Sequence, residues 1–270
     1  MPELPEVETT VRGLERVLLG RRLTEVTPRR ADLRRAIPQD LGQRLTGARV
    51  VRLHRRAKYG LVDSDRGDTL VFHLGMSGRW RIDPGEIGAH DHLIIATDDG
   101  HRLALNDPRR FGSLDLVRTE GLAVWPAFMA IGPEPLGGAV TGKWLKERFA
   151  GRVAAVKLLL LDQRIVAGLG NIYVCEALFR ARIDPRKAAG RVSRVRLDAL
   201  AAAIPAVLEE AIAAGGSTLR DFAAPDGDLG YFSKTFDVYG REGKSCGCGG
   251  VVKRIVQGGR STFFCPNCQR

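Results

Sequence analysis

The sequence predicts an α+β protein in which an N-terminal helix and an antiparallel β-sandwich or barrel are followed by a C-terminal helical domain. Apolar residues first recur at helical spacing, then occur in short β-type runs between turns, and then return to helical spacing. A Gly- and Pro-rich stretch, IGPEPLGG (131–138), precedes the last part and is typical of an interdomain linker. Four cysteines among β-like residues near the C-terminus predict a small additional hairpin.

Length and composition agree with two domains of ordinary size. The chain has 270 residues, and 44% of them are hydrophobic, which is enough to fill real cores. No apolar run approaches the roughly 20 residues needed to cross a bilayer, and the first residues alternate acids with arginines where a signal peptide would be apolar. We therefore expect a cytosolic protein.

The charge balance points to a polyanionic partner. Lys and Arg number 42 against 31 Asp and Glu, which gives a formal net charge of +11 and a pI of about 9.9. Such a surface favours binding to nucleic acid. A solvated basic surface without a partner is the alternative at this point.

The first helix is predicted to run from Pro5 to a stop at Gly20. Pro5 suits a first helical turn. One apolar face recurs at helical spacing and consists of Val7, Val11, Leu14 and Leu18. The chain places Pro2, Glu3 and Glu6 before this pattern is established. These residues either only start the helix or make the terminus itself a reagent.

Residues 22–117 change to short β-type runs separated by turns at DRGD, DPGEIG and DDG. The runs are RLTEV, ARVVRLH, TLVFHL, GRWRI, HLIIAT, HRLAL and SLDLV. This spacing predicts antiparallel strands in a sandwich or barrel.

After the linker the spacing is helical again. The predicted helical segments are GKWLKERFAG, AAVKLLLLDQ, NIYVCEALFRA and a long stretch from Ser193 to Ala214. Pro205 interrupts the last segment and predicts a kink or two helices. The expected domains are residues 1–132, a β-sandwich; 133–240, the linker and helices; and 241–270, the hairpin.

The C-terminal cysteines form two close pairs. The ligand set would be Cys246, Cys248, Cys265 and Cys268. Four thiolates match the tetrahedral preference of structural zinc, and so small a hairpin has little core without a metal. The first pair, CGC, is one residue shorter than the usual spacing, and free thiols or a disulfide are the alternatives. Cations on the hairpin, namely Lys253, Arg254 and Arg260, either grip phosphates or are simple surface charge.

Three loops carry further candidates. In GLGN (168–171), the glycines suit a tight turn into a helix with Asn171 near its N-cap, where backbone amides can bind phosphate, although an ordinary helix start explains the pattern equally well. HLGMSG (73–78) and NDPRRFG (106–112) place Met76, Arg109 and Phe111 on turns. Proteins that extract a base from duplex DNA need such wedges and cations, whereas burial in the core is the ordinary place for Met and Phe.

These motifs occur in the order found in bacterial formamidopyrimidine-DNA glycosylases, and the chain resembles that family over essentially all its residues. The motifs are PELPEVET, RRAKY (55–59), HLGMSG, DPRRFG, LLLDQ followed by GLGNIY, TLRDF (218–222), GYF (230–232) and the four-cysteine hairpin. The related endonuclease VIII branch, which acts on oxidised pyrimidines, typically has Gly where this chain has Leu4. The purine branch is therefore favoured.

The resemblance implies a two-sheet antiparallel β-sandwich after the N-terminal helix, a helix-two-turn-helix domain and a zinc-finger β-hairpin holding one structural Zn²⁺. It implies a monomer that binds duplex DNA between its domains. It also implies excision of 8-oxoguanine and formamidopyrimidines, followed by strand cleavage through β,δ-elimination. By the same resemblance, the nucleophile is the amine of Pro2 after removal of Met1. Glu3 is the catalytic acid, Lys58 a catalytic or phosphate-binding lysine, and Arg260 the hairpin arginine that holds phosphates beside the lesion.

The resemblance further implies a set of DNA contacts, in which the role of Lys157 is the least defined. The set is Met76, His90, Arg109, Phe111, Arg152, Lys157 and Asn171. Residues 217–232 correspond to a loop that covers the flipped base, and glycines in DGDLG (226–230) suit a mobile lid. Glu6 is either a second acid near the amine or a first-turn acid that favours the helix dipole.

Two rival functions are compatible with these motifs. A non-catalytic binder of damaged DNA would keep the cations and wedges without needing a free Pro2. A pyrimidine-lesion enzyme of the same superfamily would share the chemistry and differ in the base that it accepts. The shortened CGC pair puts the metal geometry in question, while the catalytic half stays as the resemblance implies.

Overall fold

The structure is a computed structural model, and it describes residues 2–217 and 235–270. The described residues fall into two compact units. Unit 1 contains residues 2–129 with 214–217, and unit 2 contains residues 130–213 with 235–270.

The secondary structure of the described residues follows the sequence of patterns along the chain. The helices are α1 (Leu4–Leu18), α2 (Leu41–Leu45), α3 (Pro126–Met129), α4 (Gly142–Phe149), α5 (Val156–Leu160), α6 (Asn171–Arg180) and α7 (Arg194–Ala213). The strands are β1 (Leu23–Pro28), β2 (Val50–Arg56), β3 (Tyr59–Ser64), β4 (Asp68–His73), β5 (Arg79–Ile82), β6 (Asp91–Thr97), β7 (Arg102–Asn106), β8 (Ser113–Arg118), β9 (Lys253–Gln257) and β10 (Arg260–Phe264).

Helix α1 begins with a capping box. The Glu3 side chain accepts a hydrogen bond from the backbone of Glu6, and the Glu6 side chain accepts one from the backbone of Glu3. These two bonds satisfy amides that an uncapped helix leaves unpaired. The apolar face predicted from the spacing is buried against β2 and β3. Each such aliphatic side chain contributes roughly 1.5–3 kcal/mol to folding by its burial.

Unit 1 contains two four-stranded antiparallel sheets. Their strand orders are β1-β6-β7-β5 and β2-β3-β4-β8. Side chains from both sheets and from α1 form one apolar cluster, in which Phe72 and Trp80 meet edge to face at 5.6 Å. The predicted α+β class, with a helix and a two-sheet antiparallel sandwich, is confirmed.

The sequence pattern missed one strand of the sandwich, β3. It follows directly on RRAKY, and its first residues, Tyr59 and Gly60, look like part of a turn. Gly60 lies against the face of Phe72 in β4, so that an added Cβ would come within 2.1 Å of the Phe72 ring. The glycine therefore marks a close ring-to-backbone contact inside the sheet.

Unit 2 contains helices α4 to α7 and the hairpin of β9 and β10. Helix α7 runs unbroken from Arg194 to Ala213 through Pro205, so the alternative of two separate helices is wrong. Pro205 costs the helix one backbone hydrogen bond. Its neighbours Ile204 and Val207 are fully buried, and packing of this face holds the helix together. In the described part of the chain, every helix is too short or too polar for a membrane span.

The hairpin is joined by a two-residue turn. Gln257 pairs with Arg260, and the intervening Gly258 and Gly259 have φ values of +55° and +71°. A two-residue turn with positive φ at both positions matches the twist of the flanking strands, and glycine adopts it without strain. Arg260 therefore stands directly after a tight, well-defined turn.

Candidate functional site

The N-terminal residues of unit 1 are held tightly in place. Pro2 and Glu3 are buried. The Glu3 amide donates to Glu6 Oε2 at 2.9 Å, and the Val7 amide donates to the Glu3 carbonyl oxygen at 3.1 Å. Pro2 is therefore followed by a peptide plane whose orientation is fixed by hydrogen bonding.

Lys58 lies in the turn between β2 and β3. Arg56 pairs with Tyr59, which leaves Ala57 and Lys58 as the two turn residues, and Ala57 has a φ of +52°. Arg55 Nη1 donates to the Ala57 carbonyl oxygen at 2.8 Å. This bond supports a left-handed conformation that alanine otherwise disfavours.

Arg55 also ties the Lys58 turn to α1. Its Nε donates to Glu8 Oε2 at 3.1 Å, and the Arg55 side chain is only 7% exposed. One guanidinium thus contacts both the helix that carries the terminus and the turn that carries Lys58. The structure brings these two predicted regions, 47 positions apart at Glu8 and Arg55, into one bonded group.

His73 is a neutral side chain close to the charge of Lys58. Burial, and then the positive charges of Lys58, Arg34 and Arg35, lower the pKa of His73 to about 4. The ring accepts a hydrogen bond at Nδ1 from the Gly75 amide at 2.9 Å, as a neutral imidazole can. His73 therefore acts as a fixed acceptor rather than as a charge at neutral pH.

The loops HLGMSG and NDPRRFG are joined by Asp107. Its carboxylate accepts from Ser77 Oγ at 2.7 Å and from the Gly112 amide at 2.8 Å. Gly75, with a φ of +62°, lies so close to the second loop that an added Cβ would come within 2.3 Å of the Phe111 backbone. The two loops consequently behave as one structural piece.

This joined pair of loops presents the predicted wedge residues. Met76 is half-buried, and Phe111 is 45% exposed; both line one pocket together with Arg34, His73 and Gly75. The Arg109 guanidinium lies over the Phe111 ring at 4.7 Å. The exposure of Phe111 differs from the core position that composition alone favoured.

In unit 2, Gln163 of LLLDQ organises the turn before α6. Its side-chain carbonyl accepts from the Gly168 amide at 2.9 Å, and its amide donates to the Leu169 carbonyl oxygen at 2.8 Å. Gly170 is the N-cap of α6, and Asn171 is the first helical residue, so Asn171 lies directly after the N-cap. The capping residue brings no side-chain bond.

Two side chains of unit 2 bond to strand β10 of the hairpin. Asn171 Nδ2 donates to the Ser261 carbonyl oxygen at 2.8 Å. Lys157 Nζ donates to the same oxygen at 3.2 Å and to Thr262 Oγ1 at 2.6 Å. Lys157 is fully buried, unlike a lysine that presents its ammonium to solvent.

Three predicted cations or contacts lie on exposed surface. Arg260 is exposed directly before Ser261, Arg152 is exposed in the connection between α4 and α5, and His90 is exposed before β6. Their positions leave the side chains accessible to a ligand, each within its own unit. The predicted base-covering segment, residues 217–232, lies outside the described residues apart from Ser217.

The four cysteines of the C-terminal hairpin come together. All four Sγ atoms lie within 4.8 Å of one another, with Cys246 and Cys268 at 3.7 Å and Cys248 and Cys265 at 3.5 Å. A tetrahedral zinc with Zn–S bonds of about 2.3 Å requires S–S separations of about 3.8 Å. The residues therefore fit one Zn²⁺, and the shortened CGC pair does not prevent this arrangement.

A buried carboxylate that no sequence motif indicated holds the chain before the hairpin. Glu176, fully buried on α6, accepts hydrogen bonds from the backbone amides of Asp237, Val238 and Tyr239 at 2.8–3.0 Å. Burial raises the pKa of Glu176, while the three amide donors oppose that shift. A glutamate between Cys175 and Ala177 on an otherwise apolar helix face was the available signal.

Three protein-family models match the chain. The formamidopyrimidine-DNA glycosylase N-terminal domain matches residues 1–114, and the formamidopyrimidine-DNA glycosylase H2TH domain matches residues 131–223. The zinc finger found in FPG and IleRS matches residues 248–270, a range that begins after Cys246. The expected zinc-finger hairpin is confirmed.

Curated proteins and solved structures give the same result. The formamidopyrimidine-DNA glycosylases of Novosphingobium aromaticivorans and Rhizorhabdus wittichii are 67% and 66% identical, and the alignments cover all of each chain. A point mutant of Lactococcus lactis FPG in complex with Fapy-dG DNA matches with a TM-score of 0.92 and 33% identity over 100% of both chains. MutM (FPG) from Thermus thermophilus matches with a TM-score of 0.89 and 40% identity over 99% of this chain and 98% of that one.

Proposed function

The chain belongs to the formamidopyrimidine-DNA glycosylase family, and from this premise we propose that it excises 8-oxoguanine and formamidopyrimidines from duplex DNA and then cleaves the strand by β,δ-elimination. The family makes it a DNA-repair glycosylase. Lactococcus lactis relatives have been crystallised with DNA containing Fapy-dG or an abasic site, and these ligands resemble a substrate and an intermediate of the proposed reaction.

One observation carries the proposal: Pro2 is followed by a peptide plane that the Glu6 carboxylate holds in place. A nucleophile at a frayed terminus would lose the advantage of fixed geometry, which contributes a large share of enzymatic rate. Here the first turn of α1 is capped, and both Pro2 and Glu3 are buried. The arrangement suits a terminal amine that reacts at a defined point.

The chemistry follows from the secondary amine of Pro2 once Met1 is removed. An α-amino group has an ordinary pKa of about 7.7–8.0, so a useful neutral fraction exists near pH 7. Attack of the nitrogen on C1′ of the deoxyribose breaks the glycosidic bond, and the base leaves with the bonding electrons. The nitrogen then loses its proton, and the sugar opens by cleavage of the C1′–O4′ bond with protonation of O4′, which leaves an iminium at C1′. The iminium acidifies the C2′ hydrogen, whose removal expels the 3′ phosphate; a second elimination expels the 5′ phosphate.

Glu3 supplies the proton transfers in this scheme. It is the residue next to the nucleophile, and its backbone is fixed at both the amide and the carbonyl. A positioned carboxyl group can protonate the opening sugar and later accept or return protons. We assign it the role of general acid.

Lys58 and Arg260 bind the phosphates that flank the damaged nucleotide. Lys58 is fixed in the β2–β3 turn, which Arg55 ties to α1, so its position is set relative to the terminus. Arg260 is exposed after the hairpin turn and is supported at Ser261 by Asn171 and Lys157. Charge-assisted bonds to phosphate suit both residues.

Met76, Arg109 and Phe111 maintain the duplex after the lesion leaves the base stack. Met76 and Phe111 are large apolar groups on the pair of loops joined by Asp107, as a wedge between base steps requires. Arg109 is placed over the Phe111 ring and is directed to the base opposite the lesion in this proposal. His90 adds a contact from the same unit.

In unit 2, Arg152 and Asn171 contribute DNA contacts, and Lys157 acts through the hairpin. Because Lys157 is buried and bonded to Ser261 and Thr262, we assign it a positioning role for β10 rather than a direct phosphate contact. The four cysteines would hold one Zn²⁺, which supplies structural cross-linking and no chemistry. We retain residues 1–132, 133–240 and 241–270 as functional domains.

We propose, from the resemblance to the family, that the protein acts as a monomer. The substrate is DNA and the curated relatives named above are bacterial, which supports a location in the bacterial cytoplasm with the chromosome.

Product analysis tests this function. Purified protein is incubated with labelled duplexes that carry one 8-oxoguanine or one thymine glycol, and the products are resolved with and without alkali. We expect release of 8-oxoguanine and a one-nucleotide gap with phosphate at both ends before alkali is added. Intact strands would favour a non-catalytic binder, and preferred cleavage at thymine glycol would favour a pyrimidine-lesion enzyme.

A further inference from the structure

Glu6 is placed to connect two distant parts of unit 1. Its Oε2 accepts from the Glu3 amide at 2.9 Å, and its Oε1 accepts from both the amide and the hydroxyl of Ser217 at 2.8 Å each. The residue is 1% exposed. One carboxylate therefore bonds the start of the chain to a residue 211 positions later.

The backbone at Ser217 is shaped around this carboxylate. Gly215 and Gly216 have φ values of +75° and +83°, a conformation that glycine adopts readily. A Cβ on Gly216 would lie 3.4 Å from Glu6 Oε1 and 3.6 Å from Glu6 Cα. The turn thus packs directly on Glu6, as well as donating to it.

These contacts separate two interpretations of Glu6. An acid that only favours the helix dipole needs to be near the first turn, and solvent exposure suits it well. A buried carboxylate is costly unless its oxygens are hydrogen-bonded. In Glu6, one oxygen accepts from the Glu3 amide and the other accepts from the Ser217 amide. The geometry is that of a bridge between two backbone segments.

We propose that Glu6 is a positioning residue that couples the backbone at Ser217 to the peptide plane following the nucleophile Pro2. The inference rests on the proposed function of Pro2. Ser217 directly precedes residues 218–234, which include the segment whose counterpart in the family covers the flipped base. A change at Ser217 is transmitted through the Glu6 carboxylate to the Glu3 amide, and hence to the reactive end of the chain.

The coupling makes a specific kinetic prediction for a substrate that has no base. An abasic duplex gives a base-covering segment nothing to recognise, and the strand cleavage depends only on the amine chemistry. If Ser217 acts solely in base recognition, Ser217→Ala leaves abasic cleavage unchanged. If Ser217 acts through Glu6 on the terminus, Ser217→Ala slows abasic cleavage as well.

A double-mutant cycle with Glu6→Gln and Ser217→Ala tests the inference under single-turnover conditions at saturating enzyme. Glutamine has one carbonyl acceptor in place of two carboxylate oxygens, so it cannot accept hydrogen bonds from both the Glu3 amide and Ser217 in the way that Glu6 does. We expect Glu6→Gln to lower the abasic rate by about tenfold and Ser217→Ala to lower it by about threefold, since small misplacements of reacting groups are costly. In the Glu6→Gln background, Ser217→Ala should have no further effect.

Matched variants distinguish coupling from general damage to the fold. Glu15→Gln makes the same chemical change at an exposed position of α1 and should retain the wild-type rate. Ser217→Thr keeps the hydroxyl donor and should restore most of the loss caused by Ser217→Ala. DNA affinity should change by less than about threefold in all variants, because the proposed effect lies in positioning rather than binding.

The outcomes separate the inference from the function on which it rests. If the wild-type protein cleaves neither abasic nor 8-oxoguanine duplex, the proposed function fails. If the wild type cleaves both and Ser217→Ala slows abasic cleavage equally in the two backgrounds, or not at all, the coupling fails alone. Should Glu6→Gln not fold, the comparison of Ser217→Ala with Ser217→Thr on abasic DNA still decides.

Discussion

Asn171 donates a hydrogen bond from Nδ2 to the carbonyl oxygen of Ser261 at 2.8 Å. The buried Lys157 donates to the same oxygen, so two side chains of the helical part of unit 2 hold one peptide group of β10. Arg260 is the preceding residue, at the start of that strand. The helices therefore hold the backbone next to the exposed Arg260, in addition to the hairpin turn that precedes it.

This arrangement predicts different salt dependences for Arg260 and Lys157 variants. Each phosphate contact contributes about 0.9 to the slope of log K against log salt concentration on duplex DNA. We expect Arg260→Ala to weaken binding and reduce the slope by about one. Lys157→Met should weaken binding with little change in slope, because Lys157 supports β10 without contacting phosphate itself. Fluorescence anisotropy at several salt concentrations measures both quantities.

Arg152→Ala, at another exposed arginine, provides a comparison in the same assay. If Arg152 contacts phosphate as proposed, its replacement by Ala should reduce the slope of log K against log salt concentration by about as much as Arg260→Ala does. A slope reduced by Lys157→Met as strongly as by Arg260→Ala would contradict the positioning role of Lys157.

The cysteine cluster predicts one tightly held zinc ion per chain. The four Sγ atoms already approximate a tetrahedral set, and metal binding stabilises small hairpins of this kind. We expect elemental analysis to find one zinc, and Cys246→Ser to lower both zinc content and DNA affinity. Cys175→Ala, outside the cluster, should keep the metal. Full zinc occupancy in Cys246→Ser would show that the CGC pair contributes only one ligand.

His73 predicts a loss of stability at mildly acidic pH. Its folded-state pKa of about 4 lies below the ordinary value of 6.5, so the unfolded chain binds more protons between these values. Stability therefore falls as pH decreases from about 6.5 towards 4, and this residue accounts for roughly 2 kcal/mol between pH 7 and pH 5. Urea unfolding at the two pH values measures the difference.

His73→Asn is the matched variant for this measurement. Its side-chain oxygen can replace Nδ1 as the acceptor for the Gly75 amide, and it does not titrate. We expect the change in the free energy of unfolding between pH 7 and pH 5 to be smaller in His73→Asn than in the wild type, by roughly 2 kcal/mol. An unchanged pH dependence in His73→Asn would exclude His73 as its source.

We expect the wedge residues Met76 and Phe111 to depend on Asp107, although Asp107 itself contacts no DNA in the proposed function. Asp107→Ala leaves the Gly112 amide and the Ser77 hydroxyl without their acceptor, and each buried unpaired group costs about 1–3 kcal/mol. We expect slower excision of 8-oxoguanine from a duplex by at least about tenfold, with a smaller loss for Ser77→Ala. Equal rates for Asp107→Ala and wild type would show that the loops hold their shape without it.

Much of the fold could be predicted because periodicity reports local structure. Helix α1 and the strands around Leu70 and Ile94 have clear helical or extended patterns. Strand β3 was missed because Gly60 looks like a turn residue, and only the ring of Phe72 explains it. The continuity of α7 through Pro205 likewise depends on packing that a propensity argument does not contain.

The candidate site was predictable where chemistry is concentrated in short motifs. The cysteine pairs and the terminal PELPE stretch can be recognised as candidate site residues from residue type and position alone. The bonds from Glu6 to Ser217 and from Lys157 to Ser261 join residues more than 100 positions apart and follow no local spacing. Asp107 and Gln163 were likewise hidden within recognised motifs, because their partners are backbone amides that every sequence contains.

Trapping with borohydride tests whether the Pro2 amine is the nucleophile. Reduction converts a transient iminium into a stable covalent bond between protein and DNA, and peptide mapping locates the attached residue. We predict that the wild-type protein is trapped on 8-oxoguanine and abasic duplexes through Pro2, and that one additional residue before Pro2 abolishes trapping. Undiminished trapping of the extended protein, or attachment at Lys58, would show that the Pro2 amine is not the nucleophile.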